Sequence, residues 1–95
     1  MLAINEAKYI GGYRIRILFN NGKEGIANLE KIILDDTRPI FSDLKQRSKF
    51  SAFKLEHGTV IWPNNLDLAP EYLFYSAFKD NDDYREKFRQ WGYSE

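Results

Sequence analysis

The sequence predicts an α+β fold in which a small antiparallel sheet of about five strands packs against helices. Two segments with hairpin patterns predict the strands, and Pro70 opens an apolar helix that needs a surface to pack on. A last amphipathic segment predicts an added C-terminal helix. At 95 residues, the chain can build one modest core. We therefore predict one α+β domain over residues 1–79 and a helical extension over residues 80–95.

The N-terminal third of the chain predicts a three-stranded antiparallel meander. A strand over residues 2–10 ends at the turn signal Gly11-Gly12. Residues 13–19 alternate apolar and basic side chains, which is typical of a strand with one packed face. Asn21-Gly22 then predicts a tight hairpin turn, because both positions tolerate positive φ. The return strand covers residues 24–29.

The middle of the chain predicts two short helical segments and then a second hairpin. Residues 30–34 predict a helical turn, and residues 40–46 predict a short helix after a polar loop. The expected hairpin consists of a strand over residues 50–56, a tight turn at His57-Gly58 and a strand over residues 59–62. Both hairpins are expected in the same sheet.

Two helices are predicted in the last third of the chain. Pro70 suits the first helical position, and the segment 70–79 is apolar almost all round, so we expect it to be buried. Asp82 or Asp83 would cap the last helix. Gly92 would end it.

Charge and composition exclude several classes of function. The chain has 14 basic and 14 acidic residues and a net charge of zero. Lys8, Arg14 and Arg16 are candidates for a basic strand face, but cross-strand pairs with nearby glutamates explain the same residues. Because no basic excess supports phosphate contacts, we predict no direct nucleic-acid binding. No apolar run reaches about 18 residues and the N-terminus lacks a signal-peptide pattern, so we predict no membrane association and a cytoplasmic location.

The sequence offers few residues for catalysis or metal binding. It has no cysteine and a single histidine, His57. His57 with Glu56 or Asp67 is a candidate acid–base pair, but a histidine before glycine is typical of an exposed hairpin turn. The acidic groups lack the ligand spacing of a calcium loop and are better explained as a solvated loop and a helix start; they are Asp35, Asp36 and Asp43, and Asp80, Asp82 and Asp83. We therefore predict no metal, no cofactor and no enzymatic activity.

One run of the sequence, residues 61–70, reads Ile-Trp-Pro-Asn-Asn-Leu-Asp-Leu-Ala-Pro. Together with the strand at residues 13–19 and Asn21-Gly22, it resembles the bacterial domain-of-unknown-function family 2442 (DUF2442) over about residues 2–75. Asn65 stands where the family usually has glycine, and asparagine also tolerates positive φ. The resemblance implies a small α+β domain without an established catalytic activity. Some members look as though they accompany a small neighbouring protein in a toxin–antitoxin-like pair.

Two interpretations fit the loop from Trp62 to Pro70. In the first, Asp67 and the two asparagines satisfy backbone N–H groups in a tight crossover, and Trp62 fills the core. In the second, the loop faces a small ligand and makes the chain a sensor or an enzyme. The residues concerned are Trp62, Pro63, Asn64, Asp67 and Pro70.

The candidate partner-binding surface is an aromatic stripe on the last helix. Tyr84, Phe88 and Trp91 fall on one helical face. They either dock on the domain's own sheet or present a surface to another protein, and both arrangements remain open. Tyr72 and Tyr75 join this surface if the preceding helix is partly uncovered. We predict a non-catalytic module that binds a protein partner, and homo-oligomerisation stays open.

Overall fold

A computed structural model describes residues 1–93 of the chain and confirms the α+β class. Within these residues the strands are β1 (Ile4–Tyr9), β2 (Arg14–Phe19), β3 (Glu24–Asn28), β4 (Lys54–Glu56), β5 (Thr59–Ile61) and β6 (Asp67–Leu68). The helices are α1 (Glu30–Asp35), α2 (Pro39–Ser42), α3 (Arg47–Phe50), α4 (Pro70–Phe78) and α5 (Arg85–Gln90), with 3-10 turns at Asp43–Lys45 and Asp82–Tyr84. None of these helices has the length and apolarity needed to cross a membrane.

The predicted N-terminal meander is confirmed, with β2 in the centre of the sheet. Ile15, Ile17 and Phe19 alternate along β2 and are fully buried, which gives the sheet one packed face. On the other face Arg16 lies 3.9 Å from Glu24, the cross-strand pairing expected for the basic residues of this strand.

The strands of residues 1–93 form two three-stranded sheets and not the single sheet predicted. β4 and β5 make the expected hairpin, and a third strand, β6, pairs with Val60 and Ile61. A two-residue strand shows no alternation, so sequence patterns miss it. The sheets are linked where the Ile4 N–H donates to the Gly58 carbonyl at 2.9 Å.

The predicted strand over residues 50–56 is wrong at its start. α3 ends at Phe50, and β4 begins only at Lys54. The Phe50 side chain is fully buried, with its ring centroid 5.4 Å from that of Tyr13 and 5.8 Å from that of Trp62. In a sequence, an apolar residue that ends a helical turn looks the same as one that begins an alternating strand. Tertiary packing decides which of the two conformations Phe50 adopts.

The other predicted helices are found in place. α1 covers the expected helical turn, α2 with the following 3-10 turn covers the expected short helix, and α4 begins at Pro70. The start of α5 differs from the prediction, because its N-cap residue is Tyr84, which makes no side-chain capping bond, and Asn81 caps the 3-10 turn before it. The Asn81 Oδ1 accepts the backbone N–H of Asp83 at 3.0 Å. Gly92, at φ +84°, ends the helix as predicted.

A single core joins both sheets to α4 and α5. α4 packs closely on β3 at Gly25, where a Cβ atom would lie 2.9 Å from Cζ of Phe78. Glycine is therefore required for this close approach of strand and helix. The largest fully buried side chains are Trp62, Phe19, Phe50, Phe74 and Phe88.

Candidate functional site

The aromatic stripe of the last helix packs on the chain's own domain. The rings of Tyr84, Phe88 and Trp91 surround Phe74 of α4, with centroid distances of 5.0, 6.1 and 6.1 Å. Phe88 is only 2% exposed, whereas Tyr84 and Trp91 are half-buried. The stripe docks on its own domain, but on helix α4 and not on the sheet that the sequence predicted, because α4 presents the Phe74 ring to it. Phe88 is a core residue, and only Tyr84 and Trp91 keep surface that another chain can touch.

Tyr72 and Tyr75, the two tyrosines predicted with the stripe, line an open groove between α1 and α4. The groove has a volume of about 500 Å³, and Ile32 of α1 forms part of its apolar lining. Residues three apart on a helix lie on the same face, which places both tyrosine rings side by side, 6.4 Å apart. We call this surface, lined by Tyr72, Tyr75, Lys31, Lys79 and Ile32, the tyrosine groove.

A third tyrosine, Tyr93, supports the tyrosine groove from behind. Its ring lies 5.8 Å from that of Tyr72 and 5.2 Å from that of Tyr75. The C-terminal turn fixes this position: Tyr93 N–H donates to the Phe88 carbonyl at 3.0 Å and Gly92 N–H to the Arg89 carbonyl at 3.1 Å. This is a Schellman motif, in which the residue after the glycine packs back on the helix. Tyr93 was not predicted, although an aromatic residue after the helix-ending glycine is the sequence signal for it.

Burial raises the pKa of Tyr72 above its ordinary value, and burial does the same for Tyr93. A hydrogen bond with Ser76 opposes the shift at Tyr72. Both hydroxyl groups are therefore neutral at physiological pH and can donate as well as accept hydrogen bonds. The tyrosines present an apolar ring with a polar end to whatever enters the groove.

Charged groups of both signs stand around the tyrosine groove. Lys31 of α1 and Lys79 at the end of α4 line it together with Asp35. Arg38 holds the neighbouring carboxylate of Asp36 at 2.7 Å, and this hydrogen bond keeps the pKa of Asp36 below its ordinary value. Within residues 1–93, Lys31, Lys79 and Asp35 form none of the ion pairs. These three groups are available to a bound molecule.

The loop from Trp62 to Pro70 is held mainly by its own hydrogen bonds. Trp62 is 2% exposed, and its Nε1–H donates to the Phe50 carbonyl at 2.7 Å. The Asn64 amide donates to the Ile40 carbonyl at 3.0 Å and accepts the Leu66 N–H at 3.1 Å. These contacts match the structural interpretation of the loop.

Asn65 and the two prolines also act on the backbone of this loop. Asn65 adopts φ +69°, so it performs the turn for which the family usually has glycine. The Trp62–Pro63 peptide bond is trans, and Pro70 occupies the first position of α4. Asp67 differs from the expectation: its side chain is exposed and accepts none of the hydrogen bonds described for residues 1–93. Asn64 makes the expected bond, because its Oδ1 accepts the N–H two residues on and closes an Asx turn.

The remaining candidate residues lie apart from the tyrosine groove. Pro63 and Asn64 border a hollow of about 360 Å³ beside Leu44 and Lys49. His57 is exposed at φ +53° in the β4–β5 turn. In the part of the chain that the structure describes, no three acidic or histidine side chains converge into a group that would hold a metal ion.

A protein-family model described as Protein of unknown function (DUF2442) matches residues 4–79. The chain belongs to the DUF2442 family. Tyr72 and Tyr75 lie inside the DUF2442 match, whereas Tyr93 and the aromatic stripe lie beyond its last residue. No curated protein and no solved structure matches the chain.

Proposed function

We propose that this DUF2442 protein is a non-catalytic protein-interaction module, the antitoxin-like half of a two-protein module of the bacterial cytoplasm. The observation that carries the proposal is the tyrosine groove, in which Tyr72 and Tyr75 line an open surface beside two lysines. The pairing with a second small protein and the cellular location rest on the family resemblance and the sequence pattern.

The chemistry of the groove suits a protein segment. Tyrosine contributes a large contact area and a polar end at low cost in conformational entropy, and it is enriched among residues that dominate binding energy. Tyr93 packs on both groove tyrosines, so their rings are held in place before a partner arrives. Such preorganisation reduces the entropic cost of association.

The charges around the groove favour a defined orientation of the partner. Lys31 stands on one wall and Lys79 on the other, with Asp35 beside them. Charged groups at the rim of an interface add little affinity. Their main effects are to fix the register of the partner and to reject partners with the wrong charge pattern. We expect the bound segment to carry an apolar side chain over Ile32 and carboxylates toward the lysines.

The test starts with capture of the tagged chain from its native host, followed by mass spectrometry and a nucleic-acid stain. The captured protein is then purified, and its dissociation constant is measured by calorimetry. Tyr72→Ala should weaken binding by about 30-fold, since truncation of an aromatic hot-spot residue costs about 2 kcal/mol. Lys79→Glu should weaken binding less and should change its salt dependence.

Matched controls separate the groove from the rest of the surface. Tyr9 is also half-buried but does not line the groove, and Lys23 is exposed in the β2–β3 turn. Tyr9→Ala and Lys23→Glu should leave the dissociation constant unchanged. Equal losses for the groove variants and their controls would contradict the proposal. Trp91 is half-buried beside Tyr93, which packs on the groove tyrosines. Trp91→Ala therefore tests whether the aromatic stripe also contributes to the affinity for the partner.

The alternative proposal is a small-ligand sensor or enzyme at the Trp62–Pro70 loop. One observation favours it, the hollow of about 360 Å³ beside Pro63 and Asn64. A thermal-shift screen against small metabolites tests it. Loss of the ligand response in a still-folded Lys49→Ala variant, whose side chain borders the hollow, would support this alternative, and the absence of any ligand-induced shift in the wild type would leave only the structural role of the loop.

A further inference from the structure

The strand β3 is an open edge of the first sheet, whose strand order is β1-β2-β3. Just beyond β3, the Leu29 N–H donates to the Tyr13 carbonyl at 2.9 Å, which fixes the phase of the β2–β3 hydrogen bonds. Because every second residue of an antiparallel edge strand bonds to its neighbour, the peptide groups of Glu24, Ile26 and Asn28 point away from β2. In the part of the chain that the structure describes, the hydrogen bonds outside the strand pairs leave these N–H and C=O groups unused.

The side chains along this edge are also accessible. Glu24, Ile26 and Asn28 are all exposed, and Ile26 leaves 43% of its surface in contact with solvent. Peptide groups spaced two residues apart match the period of an added strand, which is one standard way of binding an extended segment. A helix cannot satisfy them, because it uses its own backbone groups internally. The β3 edge is therefore suited to a segment with an extended backbone.

The β3 edge continues into the tyrosine groove. Asn28 is the last residue of β3 and also lines the groove. In a segment that runs antiparallel to β3 and ends beside Glu24, the earlier residues lie beyond Asn28, at the groove. Lys31 and Lys79 line the groove there and favour carboxylates. One extended segment can thus pair with β3 and place acidic side chains beside the two lysines.

We propose that the β3 edge and the tyrosine groove together bind an extended segment of the protein partner, which adds an antiparallel strand to the sheet. The segment is acidic before the strand, and it carries an apolar β-branched side chain opposite Ile26, where cross-strand pairs of this kind stabilise a sheet. This inference rests on the proposed function, because it specifies how the interaction module recognises its partner.

Charge disfavours a second copy of this chain as the occupant. Antiparallel pairing of two β3 strands in full register would place Glu24 of one copy opposite Asn28 of the other. Lys23, the residue before Glu24, would then enter beside the tyrosine groove. There it would meet Lys31 and Lys79, and like charges brought together at an interface oppose binding. An acidic segment of another protein has the complementary charge.

A synthetic peptide with blocked ends, Glu-Asp-Glu-Thr-Thr-Val-Thr-Lys, tests the β3 edge directly. Its acidic residues are designed for the tyrosine groove, and its Val for the position opposite Ile26. NMR titration into the isotope-labelled full chain should give saturable shifts of the Glu24, Ile26 and Asn28 amide signals. At saturation, exchange of the Ile26 amide with solvent should slow by about 10-fold or more, since this N–H then donates to the peptide. Absence of saturable shifts at these amides would overturn the proposal.

Two methylated peptides provide matched controls without any change to the protein. N-methylation of the Val removes the N–H that would donate to the Ile26 carbonyl, and it should weaken binding by about 10-fold or more. N-methylation of the Thr that follows removes an N–H that faces away from β3, so the affinity should stay unchanged. Equal affinities of the two methylated peptides for the wild-type chain would refute strand addition.

The protein captured in the preceding test distinguishes this inference from the proposed function. Slower exchange of the Ile26 and Asn28 amides in its complex supports strand addition. Binding with unchanged exchange at these amides refutes strand addition and leaves the interaction module intact. Failure to capture any protein refutes the proposed function, and the peptide result alone then supports or overturns the role of the β3 edge.

The chain by itself shows whether a second copy takes the edge. Light scattering should give the single-chain mass of 11.2 kDa, and the Ile26 amide should exchange rapidly. Twice that mass together with slow exchange of the Ile26 amide would assign the β3 edge to a second copy and overturn the proposal.

Discussion

Single side chains in this protein carry defined structural tasks, and Trp62 is the clearest case. Its indole N–H satisfies the Phe50 carbonyl at 2.7 Å inside the core. Trp62→Phe removes the donor and leaves that carbonyl unpaired, which should lower the free energy of unfolding by about 1–3 kcal/mol. Urea denaturation checks this value. Trp91→Phe is the control, because Trp91 is half-buried and donates none of the hydrogen bonds described in residues 1–93; an equal loss in both variants would contradict the assignment.

Of the two residues predicted to accept backbone N–H groups in the Trp62–Pro70 loop, Asn64 does so and Asp67 does not. Asn64 makes two hydrogen bonds across the loop, to Ile40 and from Leu66, whereas Asp67 points to solvent. Asn64→Ala should therefore cost about 1–2 kcal/mol of unfolding free energy, and Asp67→Asn should change it by less than about 0.5 kcal/mol. Thermal unfolding monitored by circular dichroism measures both. A larger loss at Asp67 than at Asn64 would reverse the assignment made from the structure.

Contact between elements depends on small residues, and Gly25 shows this best. A Cβ atom at this position would lie 2.9 Å from Phe78 and 3.1 Å from the Ala77 Cβ. Gly25→Ala should destabilise the protein by about 1–3 kcal/mol through overpacking between β3 and α4. Adding Phe78→Leu removes the closest ring atom, so the double variant should be less destabilised than the sum of the single variants. If the losses of unfolding free energy measured by urea denaturation were strictly additive, the strain would not lie between Gly25 and Phe78. Ile26→Val, on the exposed side of β3, serves as the neutral control.

At the level of elements, the sequence predicts what local chemistry controls. The β2 alternation and the proline at the start of α4 each have a local physical cause and are confirmed. The hairpin turn also lies at the predicted place, but of Asn21 and Gly22 only Gly22 adopts positive φ, at +84°. β6 and the helical conformation of Phe50 at the end of α3 depend on contacts with distant segments, so no local pattern indicates them. The candidate site likewise has one part that the sequence predicts and one part that depends on distant contacts. The paired tyrosines of α4 were predictable from helical spacing, but the groove that they line requires α1 as its second wall.

On the scale of the whole molecule, the two sheets and the C-terminal cap, residues 81–93, differ in how they are attached. The sheets share one core and the hydrogen bond between Ile4 and Gly58, whereas the cap is held on α4 by aromatic rings and by Lys87. Elements held by fewer interactions open locally before the whole protein unfolds. We therefore expect the amides of α5 to exchange with solvent through a local opening, with an opening free energy at least about 1 kcal/mol below that of the β2 amides.

Native-state hydrogen exchange followed by NMR in low concentrations of denaturant measures this difference. The β2 amides, such as that of Ile17, should show the full denaturant dependence of global unfolding, and the α5 amides only a small one. Lys87→Ala removes the cation above the Phe74 ring and should accelerate exchange in α5 while leaving β2 unchanged. Identical opening free energies and denaturant dependences in α5 and β2 would mean that the cap is released only by global unfolding.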